Sequence, residues 1–230
     1  MKITKTIIVA VALFRMTRHT DAQGFINLDF ESANIPNGTP PGYIPIEDGL
    51  PGWNAYFISS TATNQTTQVA YDGISLGGVA VSIVDTNIGS GFNPIQGNYS
   101  VFLFGGQGTD GQSYSAQISQ TGLVPTGTKM LEFDAMLFYG PSFIVTLDGQ
   151  TINMSPVETF SGYTLYGGNI PSSLAGEVAT LSITEPAPSG TPPSLLELDN
   201  IVFSLDPVPE PSTLALTVAG LFLALRRWRK

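Results

Sequence analysis

Two pairs of carboxylates carry whatever acid–base chemistry this chain can perform: Glu132 with Asp134 in LEFDAM, and Glu197 with Asp199 in ELDNIVF. A spacing of two on an extended strand puts both members of a pair on one face. In the first pair, Leu131, Phe133, Ala135 and Leu137 occupy the opposite face, so Glu132 and Asp134 read as an acidic, solvent-facing side. The second pair is less comfortable. A continuous strand sets Glu197 and Asp199 on the same face as Ile201, Phe203 and Leu205. Such a face needs a solvated sheet end, a bulge at Asn200 that re-aims the chain, or a neutralising cation.

Few other reactive groups remain. The single histidine is His19, near the N-terminus, and the chain has no cysteine. Ser-His-Asp and Cys-His catalysis, histidine-ligated zinc, c-type haem and disulfide stapling are therefore excluded between Gln23 and Val208. For ligand binding, the densest aromatic cluster is Trp53, Tyr56 and Phe57, just after a Pro-rich loop. Trp53 and Tyr56 are the candidates for stacking on a sugar ring. Alternation puts Trp53 and Phe57 on one side of a strand and Tyr56 on the other, and core packing is the competing role for Trp53. Tyr43, Tyr71 and Tyr139 are further platform candidates.

These residues sit in short runs of β-branched and aromatic residues separated by Gly, Pro, Asn and Asp, which is an all-β pattern. Strands are expected near Phe25–Phe30, Trp53–Ile58, Gln68–Ile74, Val79–Val84, Tyr99–Phe104, Tyr114–Ser119, Met130–Phe138, Tyr163–Tyr166, Val178–Ile183 and Leu195–Leu205. The sharpest expectation is a hairpin from Phe143 to Met154, with Asp148-Gly149 as a type I′ turn. That turn pairs Leu147 with Gln150, Val145 with Ile152 and Phe143 with Met154. Pro-rich loops at Pro36–Gly52 and Glu185–Ser194 interrupt the strands. Strands at this spacing predict an all-β chain whose body, residues 23–208, is a single β-sandwich of jelly-roll type.

The order of NLDFE (Asn27 to Glu31), PGW (Pro51 to Trp53), NYSVFL (Asn98 to Leu103), QISQTG (Gln117 to Gly122) and ELDNIVF (Glu197 to Phe203) resembles galactose-binding-like jelly rolls. The resemblance implies a carbohydrate-associating module. It also implies structural calcium near the first and last strands, held here by Glu31 and Asp199. LEFDAM in turn resembles the Glu-x-Asp-x-x-Glu strand of laminarinase-type glycoside hydrolases, but Leu137 stands where the final Glu belongs. Glu132 thus lacks the local acid/base partner that glycosidases need. A non-catalytic body is expected, with a secreted polysaccharide-active enzyme using Glu or Asp as the alternative.

The two ends read as addresses. Lys2 and Lys5 precede an apolar core from Ile7 to Phe14, and Thr20-Asp21-Ala22 offers a cleavage point before Gln23, as in a signal peptide over residues 1–22. Arg15, Arg18 and His19 depart from the small neutral residues expected there. At the other end, Ser212 to Leu225 is uncharged, and as a transmembrane helix its fourteen residues rise about 21 Å. A bilayer core is about 30 Å thick, so the span is short. Arg226, Arg227, Arg229 and Lys230 follow it, and Pro209 and Pro211 stop the helix from extending backwards. Pro209, Glu210 and Pro211, the span and the basic tail together resemble the PEP-CTERM sorting signal over residues 209–230. That resemblance implies an exosortase as partner, a transient inner-membrane anchor, and delivery to the cell surface or an extracellular matrix beside exopolysaccharide.

With both ends set aside the charge becomes lopsided. Only Lys129 among the nine Lys and Arg lies between Gln23 and Val208, and only Asp21 and Glu210 among the eighteen Asp and Glu lie outside it. One positive side chain against sixteen negative ones leaves the body at −15. Such a field repels nucleic acid and favours cations or neutral partners.

Overall fold

The computed structural model describes residues 23–73, 78–86, 92–138, 143–187 and 194–207. The expected signal segment 1–22, Tyr139, the tripeptide Pro209-Glu210-Pro211, the span 212–225 and the basic tail lie outside the described residues. Among the described residues no helix is long and apolar enough to cross a membrane.

Fourteen strands are described: β1 (Gly42–Pro45), β2 (Asn54–Ile58), β3 (Thr63–Thr66), β4 (Gln68–Tyr71), β5 (Ala80–Val84), β6 (Ser100–Gln107), β7 (Ser113–Leu123), β8 (Met130–Phe138), β9 (Ile144–Leu147), β10 (Gln150–Ile152), β11 (Ser155–Thr159), β12 (Thr164–Asn169), β13 (Val178–Glu185) and β14 (Ser194–Ser204), with one helical turn, α1 (Ile46–Gly49). Six of them pair in the order β3-β2-β7-β13-β9-β10, and eight in the order β1-β4-β5-β6-β14-β8-β12-β11. Pairing of Gly106 with Tyr114 and Gln107 with Ser113 makes the hydrogen bonding continuous from one sheet to the other. The pairs are antiparallel except β4 with β5.

The alternation of each strand decides what is buried between the sheets. Ala55, Ala116, Ile118, Leu181, Ile183, Val145 and Leu147 from the six-stranded sheet meet Val81, Ile83, Val101, Leu103, Leu131, Phe133, Leu196 and Leu198 from the eight-stranded one. This is the core of a β-sandwich. Across the middle of the six-stranded sheet the outward residues carry hydroxyls and amides, while Ile144 and Val178 are exposed apolar side chains. Asn54, Ser119, Ser182, Thr146 and Thr151 lie in one register row across five strands. The outer side of the eight-stranded sheet is different, for Ala80, Val84, Phe102, Phe104 and Leu195 form a second buried cluster there, with Phe92 and Phe138 packed over it.

The expected hairpin forms in the expected register. Leu147 pairs with Gln150, Thr146 with Thr151 and Val145 with Ile152. Asp148 and Gly149 both have positive φ, at 50° and 74°, as a type I′ turn requires. The expected strand at Phe25–Phe30 does not form. Asn27 and Phe30 are left-handed, which breaks an extended ladder. The segment is held instead by the buried Gln120 side chain, which accepts from Ile26 N at 2.6 Å and donates to Ile26 O at 3.0 Å. Three short strands, β1, β3 and β11, were not expected. They are mostly exposed; β3 is polar throughout, β11 mixes polar residues with Pro156 and Val157, and β1 (Gly-Tyr-Ile-Pro) lies inside the Pro-rich stretch 36–52, so no apolar alternation marks them.

The strain expected along β14 is resolved by a bulge. Asp199 pairs with Asp134 and Val202 with Glu132, so β14 carries one extra residue at this point. Asn200 has φ 50°, the left-handed region. The shift sends Ile201 into the inter-sheet core and packs Phe203 against it, while Glu197 and Asp199 stay on the outer side. The solvated strand end is overturned, because both carboxylates are 1% exposed.

Left-handed backbone costs a residue other than Gly, Asn or Asp about 1–2 kcal/mol. Asn200→Ala is predicted to destabilise by about that amount. Asn200→Gly, which loses only the Asn200 Nδ2 bond to Asp134 at 3.3 Å, is predicted to cost less. Guanidinium unfolding of the full chain measures both, and an Ala variant as stable as the Gly variant would contradict the bulge.

Candidate functional site

The aromatic cluster at 53–57 divides three ways on β2 and the residue before it. Trp53 is 4% exposed, packs tilted against Phe30 with centroids 5.7 Å apart, and its indole N–H donates to Asn27 O at 2.9 Å. Its role is core packing, and it presents no face to a sugar. Tyr56 is half-buried on the outer side of the six-stranded sheet, between Gln65 of β3 and Gln117 of β7. Phe57 faces the other way and lines an open cleft of about 410 Å³ with Tyr43, Asn64, Gln107, Asp110 and Tyr114.

This cleft is built by the edges of the sandwich. Tyr43 comes from the short edge strand β1 and is 72% exposed, which leaves its ring free on the cleft wall. Tyr114 is the second residue of β7, and its hydroxyl donates to Asp110 Oδ2 at 2.9 Å. Asp110 Oδ1 accepts from Gln112 N at 3.0 Å within the turn joining β6 to β7. Those hydrogen bonds, Gln112 first, hold the Asp110 carboxyl below its usual range, so the carboxylate is an acceptor here. The sequence had offered Tyr43 only as one tyrosine among several. Nothing in spacing alone joins it to Tyr114, seventy-one residues away in the chain.

The carboxylates gather elsewhere, on the outer side of the eight-stranded sheet. Asp134 of β8 lies directly across from Asp199 of β14, and Glu197 lies across from Met136 and Phe102. Asp199 Oδ2 accepts from Gln96 N at 3.0 Å and Ser100 Oγ at 3.0 Å, and its Oδ1 accepts from Asn200 N at 2.7 Å. Asp134 Oδ2 accepts from Gln96 Nε2 at 2.6 Å and from Asn200 Nδ2. Gln96 and Asn200 thus bridge the two strands' acids. Asp134 is buried, which corrects the solvent-facing acidic side expected of it, and Glu132 is half-buried.

Glu31 does meet the same loop as Asp199. Its Oε1 accepts from Asn98 N at 2.7 Å and Tyr99 N at 3.0 Å, and its Oε2 accepts from Asn98 Nδ2 at 2.7 Å. Gly97, at φ 60°, lies so close to this carboxylate that an added Cβ would strike Glu31 Oε1. Calcium binds six to eight oxygens. Both oxygens of Glu31 and both of Asp199 already accept hydrogen bonds, and no group of three or more His, Cys, Asp or Glu able to hold a metal occurs among the described residues. The loop 96–99 thus supplies backbone dipoles to both carboxylates.

No protein-family model matches the chain, and no curated protein matches it. Among solved structures, TmCBM61 in complex with β-1,4-galactotriose is 16% identical, with 78% of this chain and 96% of that chain covered and a TM-score of 0.35. The bacteriophage CBA120 tailspike protein 4 enzymatically active domain is 10% identical, with 74% of this chain but 21% of that chain covered and a TM-score of 0.38. At these scores neither likeness carries an argument about ligand or activity.

Burial raises three acids far above the ordinary carboxylate range. Glu197 is pushed up to about 8, with Asp199 adding repulsion, and Asp199 to about 7 despite its hydrogen bonds. Glu185 of β13 is pushed up to about 7. Among the described residues neither of its oxygens meets a hydrogen-bond donor in good geometry, and the nearby Ser194 hydroxyl donates to Pro186 O. Each acid holds its proton more tightly folded than unfolded, so its stabilising contribution is complete below about pH 4 and is lost as the pH rises through 7 to 8. Each contributes a slope of up to about 1.4 kcal/mol per pH unit in that window. The full chain is predicted to melt at least about 5 °C lower at pH 8 than at pH 5, and Glu185→Gln is predicted to flatten the trend. Melting that rises over this range would contradict the assignment.

Proposed function

We propose that the protein is an exported, non-catalytic β-sandwich of galactose-binding-like type that associates with neutral glycan through the cleft of Tyr43, Phe57 and Tyr114. The observation that carries this reading is the free Tyr43 ring sharing one cleft with two other aromatic side chains and with the amides of Asn64 and Gln107. A sugar has one apolar C–H face and a rim of hydroxyls. Aromatic faces suit the first, and planar amides with the fixed Asp110 acceptor suit the second. Its size falls in the range of small-molecule sites, about 300–1,000 Å³.

Charge supports a neutral ligand. A body at −15 disfavours acidic polysaccharide. Hydrolysis has less support, since among the described residues the cleft is lined by one carboxylate, Asp110, and glycosidases act through two. Affinity electrophoresis of the full chain through gels of neutral galactan, neutral β-glucan and acidic alginate tests the reading. At least one neutral gel is expected to retard the protein, and Tyr43→Ala is expected to weaken retention about tenfold while leaving the melting temperature unchanged, since Tyr43 is exposed. No retardation in either neutral gel, retention that survives Tyr43→Ala, or sugar release abolished by Glu132→Gln would overturn it.

Delivery is proposed from residues 209–230. Pro209, Glu210 and Pro211, a span too short to anchor well and the basic tail support exosortase processing, transient residence in the inner membrane and release to a matrix where exopolysaccharide is the partner. Intact-mass analysis of surface-released protein is predicted to find the hydrophobic tail removed. Surface material that still ends at Lys230 would contradict this.

A further inference from the structure

Asp110 is the one charged side chain that lines the Tyr43 cleft among the described residues. It stands in the turn between β6 and β7, which closes with Gly108 N donating to Gln112 O at 2.8 Å and Gly111 N donating to Gly108 O at 3.0 Å. Gly108 makes room for it. A Cβ at that position would lie 2.7 Å from a Tyr114 ring carbon and 2.8 Å from Asp110 Oδ1. Turn and ring therefore fix the carboxylate in one place on the cleft wall. Unlike the acids over the eight-stranded sheet, Asp110 is exposed, and the hydrogen bonds from Gln112 and Tyr114 favour its ionised form, so it carries its charge at neutral pH.

What this carboxylate can still accept narrows the ligand. A carboxylate has about four lone-pair sites. Gln112 N takes one on Oδ1 and the Tyr114 hydroxyl takes one on Oδ2, so each oxygen can accept once more. No cationic side chain lines the cleft among the described residues to neutralise it. A sugar hydroxyl can donate to these oxygens but leaves the charge uncompensated, and an anionic unit is repelled. An ammonium group in place of one hydroxyl donates to the same oxygens through charge-assisted hydrogen bonds, which are roughly twice as strong as neutral ones. It is also favoured by the negative face of an aromatic ring, here the exposed Tyr43. The body's charge of −15 attracts such a unit rather than repelling it.

We propose that the Tyr43 cleft takes an amino sugar, a hexosamine with a free ammonium group, with that group on Asp110 and the C–H face of the ring on Tyr43. The inference rests on the glycan reading of this cleft and narrows it: a chain that carries a de-N-acetylated hexosamine is held more tightly than the same chain without one. Asp110 is then the residue that sets specificity.

Ligand-observed NMR titration of the full chain tests this with two matched pairs, methyl glucosaminide against methyl glucoside and methyl galactosaminide against methyl galactoside. The titrations are run at about pH 6 and about 0.15 M salt, where the general field of the body is screened beyond about 8 Å. At least one amino sugar is expected to bind about fivefold tighter than its neutral match. Asp110→Asn is expected to bring that pair to within about twofold. Glu158→Gln is expected to leave the preference in place, since it removes an exposed acid on β11, at the far edge of the eight-stranded sheet from Tyr43. Tyr43→Ala is expected to weaken both members of the pair. Retardation in a neutral galactan or β-glucan gel with no amino-sugar preference, or with no binding of any of the four sugars, would overturn this inference and leave the glycan reading standing. A preference that survives Asp110→Asn, or that falls equally in Glu158→Gln, would also overturn it. Sugar binding indifferent to Tyr43→Ala would overturn both.

Discussion

The bulge at Asn200 is the constraint on which the rest of the structure depends. Without it, one face of β14 would carry Glu197, Asp199, Ile201 and Phe203 together, and no environment suits both halves of that set. One extra residue in the left-handed region separates them. Ile201 enters the core, where its N–H donates to Leu28 O. Phe203 stacks on Phe25 with centroids 4.9 Å apart. These contacts fasten the N-terminal segment across the sandwich even though that segment forms no strand. On the other side, the Asn200 side chain reaches Asp134 and its backbone N–H holds Asp199, so the residue that makes the bulge also binds the acids it turned outward.

Much of the sandwich was legible because alternation and turn chemistry are local. Met130–Phe138 forms with the expected bounds, and Asp148-Gly149 sets both the turn and the register of its hairpin. Asn200 was legible as one of three ways out of a physical conflict, and the structure selects it. What could not be read is what depends on distant residues. The 25–30 segment has the composition of a strand, but Gln120, ninety-four residues on, supplies its hydrogen bonds through a side chain. The second apolar cluster, over Phe102 and Phe104, was invisible for a related reason. Alternation says that two faces exist, not that loops cover the outer one.

The candidate sites show the same division. Trp53 was the conspicuous residue and proves to be core, while Tyr43, one tyrosine among several, has the free ring. In the sequence Asp134 and Asp199 belong to two separate pairs, yet they are cross-strand neighbours. Glu31 and Asp199 were expected to meet at calcium and instead hold one loop from two sides. The molecule therefore separates its two chemistries. Aromatic rings, amides and the Asp110 carboxylate line the Tyr43 cleft at the sandwich edge, and Asp134, Glu197 and Asp199 lie buried on the outer side of the eight-stranded sheet.

That separation rests on Glu197, Asp199 and Asp134 being truly withdrawn from water, and carboxyl carbon chemical shifts followed through a pH titration measure this most directly. With each of the three assigned by its Asn or Gln variant, the account predicts titration of Glu197 near 8 and Asp199 near 7, with Asp134 above the ordinary aspartate value. All three titrating together near pH 4 would mean that they face solvent, and the bulge and the outer cluster could not be arranged as described.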